Sequence, residues 1–308
     1  MEFKHKSVLL NECIEGLNIK EEGIYVDGTL GGAGHSSKIV EKLSDKGLLI
    51  GIDRDNDALK AAKEKLKQYT NVKYIHGNHD NIKQILEELN ISKVDGILLD
   101  LGVSSYQLDE RNRGFSYMGE ALLDMRMDKS QELTAKDVVN TYSEEDLANI
   151  IYEYGEERFS RQIARKICEV RKTKEILTTL ELVNIIESVV PRKKQDGHPA
   201  KRTFQAIRIE VNNEIKPLYD TVINSIDSLK SGGRLCIITF HSLEDRAVKN
   251  AMNDAAGKCI CPPGLPYCSC GMISKGKVIT RKPILPTEEE MNENSRSRSA
   301  KLRIFEKI

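Results

Sequence analysis

A glycine-rich turn set between two apolar runs constrains this chain more than any other feature. Tyr25-Val26-Asp27 leads into Gly28-Thr29-Leu30-Gly31-Gly32-Ala33-Gly34-His35-Ser36, and the run Leu48-Leu49-Ile50-Gly51-Ile52 follows, ending on Asp53. The order is strand, glycine turn, helix start, second strand, acid, which is the layout of a nucleotide-binding βαβ unit. Gly31, Gly32 and Gly34 admit positive φ and let a ligand approach the backbone. Asp53 comes nineteen residues after Gly34, at a strand end where a carboxylate bonds ribose hydroxyls. The layout predicts an adenosine-type ligand. A glycine turn with a purely structural role in an α/β domain is the plainer alternative.

Charge bears on which ligand. Asp27 closes the first strand inside the loop region, and Asp100 closes a further apolar run, Gly96-Ile97-Leu98-Leu99. A pyrophosphate disfavours three acids at successive strand ends, whereas a cation suits them. S-adenosylmethionine carries a sulfonium and an ammonium and no phosphate. Reading G-x-G-x-x-G from Gly32 also puts Ser37 where a dinucleotide loop has its third glycine. The methyl donor is therefore favoured over a nicotinamide or flavin dinucleotide, which stays as the alternative.

At 308 residues the chain can bury one large or two modest cores. Lys+Arg and Asp+Glu are both 47, so net charge identifies no partner. There is no apolar run of membrane-spanning length, and Met1–Lys6 precedes no signal-like apolar region, so a soluble, cytoplasmic protein is expected. Seven cysteines, mostly scattered, fit a reducing compartment. Tryptophan is absent and aromatics are scarce, which argues against stacking platforms for single-stranded nucleic acid.

From residue 24 to about 105 strands and helices alternate: strands at Ile24–Asp27, Leu48–Asp53, Val72–His76 and Val94–Asp100, helices at Ser36–Leu43, Asn56–Gln68 and Asn81–Leu89. Such alternation predicts a parallel sheet covered by helices on both faces. Residues 106–202 then read as loop and helix, including Ser143–Tyr154 and Glu157–Lys172. The sheet resumes after a turn at Ser231–Arg234 with the strand Leu235–Phe240. Ile207, Val211, Ile215, Leu218, Val222 and Ile226 predict one long amphipathic helix leading back to it. The fold class is α/β, with residues 1–108 and 209–308 as a Rossmann-like domain and 109–208 as an inserted helical domain. The insertion is electrically split. Residues 106–157 hold thirteen acids and five bases, while residues 158–202 hold twelve bases and five acids. A basic sector on a neutral protein suits a phosphate-backbone partner, or is a solvated helix face beside its acidic neighbour.

Several blocks carry a resemblance. Asp27-Gly28-Thr29, Gly34-His35-Ser36, Gly51-Ile52-Asp53-Arg54-Asp55 and Asp95–Ser105 resemble the bacterial 16S ribosomal RNA (cytosine-N4) methyltransferases, the RsmH (MraW) family. So do Arg113–Ser116, Leu123–Asp128, Tyr154–Phe159, His198–Ile209, Phe240–Arg246 and Arg296–Arg303, which together span nearly the whole chain. The resemblance implies a Rossmann-like class I S-adenosylmethionine-dependent methyltransferase acting on the N4 amine of a cytidine in the decoding region (P site) of 16S rRNA. It also implies partners: 16S rRNA or the small ribosomal subunit, no membrane, with a homodimer compatible. By the same resemblance the cofactor contacts fall on Ala33, Gly34, His35, Asp53, His79, Asp100 and Gln107.

An exocyclic amine is a weak nucleophile that must be held in line with methyl and sulfur and must shed a proton. Asp100, with the Leu101–Ser105 loop behind it, stands at the strand end suited to this. His241, read as ending the fifth strand, is the second candidate: it contacts the base or takes the proton, or else merely bonds local backbone. No cysteine lies between Cys13 and Cys168, which argues against ring-carbon methylation through a thiolate. Finally, Cys259, Cys261, Cys268 and Cys270 form a C-x-C, six-residue, C-x-C cluster. It could hold a structural zinc tetrahedrally, or be a loop of reduced thiols.

Overall fold

The computed structural model describes residues 7–191, 197–257, 261 and 273–308. Along the chain run α1 (Leu10–Leu17), β1 (Ile24–Asp27), α2 (Gly34–Val40), β2 (Leu48–Asp53), α3 (Asn56–Lys65), β3 (Val72–His76), α4 (Ile82–Glu88) and β4 (Val94–Asp100). A helical stretch follows: α5 (Ser105–Asp109), α6 (Ala135–Thr141), α7 (Glu144–Gly155), α8 (Ser160–Val170), α9 (Thr179–Val189) and α10 (Lys201–Asn212). The chain ends with α11 (Leu218–Asp227), β5 (Leu229–Thr239), α12 (Ser242–Ala255), β6 (Gly276–Val278), α13 (Glu288–Glu293) and β7 (Lys301–Lys307). Two compact units result, residues 1–102 with 215–308, and residues 103–214. The cuts fall six residues before 109 and six after 208, the bounds read from sequence.

The first unit is built on one seven-stranded sheet in the order β3-β2-β1-β4-β5-β7-β6. β1 to β5 are parallel, and β7 runs antiparallel between β5 and β6. Side chains alternate across a strand, so an unbroken apolar run feeds both faces. Val26, Ile50, Ile97, Leu99 and Ile237 point into one core with Ile82, Val222 and Val248 from the helices of that side. Tyr25, Leu49, Leu98, Cys236 and Ile238 point into the other, with Leu17, Ile39 and Ala62. This is the Rossmann-like class I arrangement, with the helical insertion following β4. None of the described helices is long and apolar enough to cross a membrane.

Two sequence expectations are corrected here. The helix expected across Ile207–Ile226 is two helices. Asn213 takes the left-handed conformation (φ 50°), and Pro217, which lacks an N–H, starts α11. Glu214 folds back onto Arg208 in a two-pronged ion pair at 2.9 Å, which seals the end of α10. The Ser231–Arg234 segment is not a turn before the strand but a bulge within β5. Val94 pairs with Leu229 and Gly96 already with Arg234, so surplus residues on β5 loop out, with Gly232 at φ +75°.

The second unit is helical around its own core, which includes Met125, Val138, Leu147, Ile151, Ile163, Ile167, Ile186, Phe204 and Ile207. Along α8 the apolar positions Ile163, Ala164 and Ile167 are buried. Arg161 and Arg165, one turn apart, stay exposed, as do the flanking Arg158 and Lys172. Buried Asn212 of α10 pins the 125–127 segment: its Oδ1 accepts from the Met127 N–H (2.7 Å) and its Nδ2 donates to the Met125 carbonyl (2.8 Å). Asn212→Ala leaves both backbone groups unsatisfied and should cost about 2–4 kcal/mol. Chemical denaturation followed by circular dichroism checks this, and an unchanged midpoint would contradict it.

Candidate active site

The strand order reverses between β1 and β4, and open α/β sheets bind ligands in the crevice beyond the strand ends at such a point. Asp27 is paired with Leu98, so Asp27 and Asp100 emerge on the same edge of the sheet. The glycine-rich loop is stitched to both neighbouring strands. Gly28 N donates to the Leu98 carbonyl at 2.9 Å and Leu30 N to the Ile52 carbonyl at 3.0 Å. Thr29 Oγ1 accepts from the Asp100 N–H at 2.6 Å and fixes the end of β4. A Cβ on Gly28 would come within 2.4 Å of Leu99 Cδ2, and one on Gly34 within 1.8 Å of Ser7 Oγ. A side chain at either position would therefore require Leu99 or Ser7 to move. Ala33, just before α2, is left-handed at φ 54°, a strained conformation held by its surroundings.

The acids of this edge differ in how they are held. Asp27 is buried, accepting from Ser36 Oγ (2.6 Å) and Thr29 N (3.2 Å), and burial raises its pKa despite these bonds. Asp53 accepts from Gly31 N (2.7 Å) and Asp55 N (2.8 Å), and burial lifts it to about 6. In Asp53 the structure shows an anchor of the loop as well as a group at the β2 end. Asp100 is pushed furthest, to about 8, first by burial and then by the charges of Asp27 and Glu244. Its Oδ1 is buried and has no hydrogen bond. Its Oδ2 lies 3.8 Å from His35 Nδ1. His35 Nε2 is 2.9 Å from the Val8 carbonyl, which can only accept, so that nitrogen carries the proton.

His79 sits three residues past β3 in a short helical turn, against Gly28. Burial lowers its pKa to about 4, so the ring is neutral at pH 7. His241 does not end a strand: β5 stops at Thr239, and His241 is the N-cap of α12. Its Nδ1 accepts from Glu244 N (3.4 Å), and Glu244 Oε2 returns bonds to Phe240 N (2.7 Å) and His241 N (3.2 Å). His241 Nε2 lies 3.1 Å from Glu244 Oε1. Gln107 belongs to the second unit, where its Oε1 accepts from Ser104 N at 3.1 Å in the capping box of α5. Asp27, His35, Asp53, His79, Asp100, His241 and the loop residues Ala33 and Gly34 all belong to the first unit. Of the four clustered cysteines, Cys259, Cys268 and Cys270 lie outside the described residues, and the zinc expectation lies there with them. Among the described residues no group of His, Cys, Asp and Glu could hold a metal ion.

Three participants escape a motif-led reading: Thr29, Ser36 and Glu244. Thr29 and Ser36 act through the ends of other strands, which no local pattern reveals. Glu244 left a signal, because an acid three residues after an N-cap candidate and before an apolar helix face marks a capping box.

Comparison with known proteins bears on the family. The MraW methylase family matches residues 2–308. A protein of Clostridioides difficile strain 630, named ribosomal RNA small subunit methyltransferase H, is 58% identical over 311 residues, covering 100% of both chains. Its namesake from Clostridium botulinum strain Kyoto is 60% identical over 309 residues, again with 100% of both covered. With a family match from the second residue to the last, the chain belongs to the MraW methylase family.

Proposed function

We propose that this chain transfers the methyl group of S-adenosylmethionine to the N4 amine of a cytidine in the decoding region (P site) of 16S rRNA. The observation that carries the reading is the Asp100 carboxyl at the switch point, with one buried oxygen that nothing bonds. The names of the relatives supply the rRNA, and the chemistry of this edge supports the rest.

When bound, the donor supplies a methyl on a positively charged sulfur. The loop backbone at Ala33–His35 and the Asp53 carboxyl suit its amino-acid and ribose parts. A cation beside Asp100 opposes both causes of its raised pKa and returns it to the ionised form. The ionised Asp100 carboxylate is then an acceptor for a donor N–H, and an exocyclic amine presents one. Methyl transfer would leave that nitrogen positive with one proton to lose, and the ionised Asp100 carboxylate would accept it. Asp100 holds that N–H and stabilises the developing charge. His241 is less suited to accept the proton, because its Nδ1 lone pair is committed to the Glu244 N–H. Its place is to fix the turn after β5. The buried thiols Cys13 and Cys236 are kept neutral by burial, Cys236 at about 12, so neither offers the thiolate that ring-carbon methylation needs.

The inserted unit supports the polyanion part of the reading through its exposed Arg158, Arg161, Arg165 and Lys172.

Methyl transfer from labelled S-adenosylmethionine to unmodified small subunits, followed by nucleoside analysis, should yield N4-methylated cytidine. Label in 5-methylcytidine, or none in either subunits or naked 16S rRNA, would overturn the assignment. Asp100→Asn should reduce turnover by roughly 10²-fold or more. The same change should stabilise the protein in alkali. Asp100 titrates near 8 when folded against a reference of 3.8, so folding favours its protonated form. That contribution is full below the unfolded value and is lost as pH rises through 8. The Tm of Asp100→Asn relative to wild type should therefore climb between pH 5 and pH 9, and a flat difference would refute the shift. Replacing Arg158, Arg161 and Arg165 together by Glu should abolish subunit binding in filter assays while S-adenosylmethionine affinity holds. Loss of both would point to misfolding instead.

A further inference from the structure

Beside α12 the first unit holds a cavity of about 160 Å³, with no residue of the glycine-rich loop in its lining. Lys249, Asn253, Thr280, Arg281 and Arg303 are among its lining residues. Its charge does not balance. Arg303, with its side chain 7% exposed, uses Nε (2.7 Å) and Nη2 (3.2 Å) on the two oxygens of Asp245. Nη1 makes no hydrogen bond among the described residues. Asp245 is already shared, since Lys301 Nζ lies 3.4 Å from its Oδ2. Lys249 and Arg281 are exposed and make no ion pair among the described residues. The neighbouring stretch of sequence cannot neutralise them either, because residues 255–287 contain no Asp or Glu and five Lys or Arg. Two neutral donors complete the lining. Thr280 Oγ1 accepts from Ile304 N at 2.9 Å, which leaves its own proton to give, and Asn253 brings an amide.

We propose that this cavity binds a phosphate of the substrate RNA backbone, as a contact separate from the basic face of the inserted unit. The inference rests on the rRNA reading above and adds where a strand is gripped. Two free cations, a guanidinium fixed by its acid and two neutral donors are what an anion with several acceptor oxygens requires. The cavity also has a fixed relation to the candidate active site. Asp245 and Lys249, spaced by four on α12, share one face of the helix that His241 caps. Lys249 lies about 12 Å along the helix from the His241 end. A strand whose target base reaches the strand ends beside His241 can run its backbone along that face. The contact positions RNA and reads no sequence.

Lys249→Glu and Arg281→Glu, singly and together, test this, with Lys249→Gln as a neutral check on folding. Binding of unmodified small subunits is measured across a salt series, beside S-adenosylmethionine affinity and Tm. Each charge reversal should weaken subunit binding by roughly three- to tenfold and flatten the log–log salt slope by about one. Cofactor affinity and Tm should hold. In methyl transfer the loss should fall on KM rather than kcat. Wild-type subunit affinity and slope in the double variant would overturn the proposal while leaving the rRNA reading intact, provided the Arg158, Arg161 and Arg165 variant does lose binding. Inorganic phosphate that binds wild type but not Lys249→Glu, with subunit binding equal in both, would mark a small-anion site and likewise overturn it. A wild-type protein that neither binds nor methylates subunits or rRNA would sink both readings together.

Discussion

Asp27, Asp100 and Glu244 bring three carboxyl groups to one edge of a sheet that is apolar on both faces. Burial raises Asp27 and Asp100, and their mutual charge and that of Glu244 raise Asp100 again. The chain offsets this cost unevenly. Asp27 receives two hydrogen bonds and Glu244 receives backbone N–H groups at the start of α12. Asp100 Oδ1 receives none. Its backbone, by contrast, is tied down through Thr29. A group whose position is fixed and whose polar atom is unsatisfied is strained toward a ligand. The loop geometry, the Ala33 conformation and the glycine contacts at positions 28 and 34 all serve to keep that arrangement in place.

Much of this was legible because the relevant signals are local. The strands Ile24–Asp27, Leu48–Asp53, Val72–His76 and Val94–Asp100 have the bounds expected of them, since apolar runs ending on a polar residue mark buried parallel strands. The acids at their ends therefore fell on one edge once the strands paired in parallel. The misreadings have one cause. Helical periodicity continues across Asn213–Pro217 because residues on both sides face apolar surroundings, while the backbone between them cannot stay helical. Ser231-Gly232-Gly233 looks like a turn because glycines permit either a turn or a bulge, and only pairing with β4 decides. His241 reads as a strand end for the same reason: whether a strand runs on past Thr239 depends on its neighbours. The C-terminal strand β7 has no local announcement, although it fills the gap between β5 and β6.

The inserted unit illustrates a different limit. Its net charge split is visible in composition, but composition does not say which charges are already engaged. In the structure Arg126 is spent on Asp124, Arg208 on Glu214 and Arg171 on the carbonyls of Val139 and Tyr142. Arg161 and Arg165 lie on the outer face of α8, opposite its apolar stripe, Arg165 with only an exposed ion pair to Glu144 at 3.7 Å. A count of bases overstates the surface a polyanion meets, and the helical phase of α8 picks out the part that remains.

The glycine-rich loop also shows how one architecture selects its ligand by charge. Where a dinucleotide fingerprint has its third glycine, Ser37 stands, and its hydroxyl bonds the Ala33 carbonyl at 2.5 Å within α2. In place of close approach to a pyrophosphate, the crevice offers carboxyl groups, two of them raised well above their ordinary range. An anionic ligand would add repulsion to the desolvation that already disfavours ionised Asp100. A cationic one relieves both and restores the acceptor that an amine substrate needs. On the proposed function the same raised carboxyl suits both a sulfonium donor and an amine nucleophile, so that cofactor preference and amine chemistry would follow from one feature of the sheet edge.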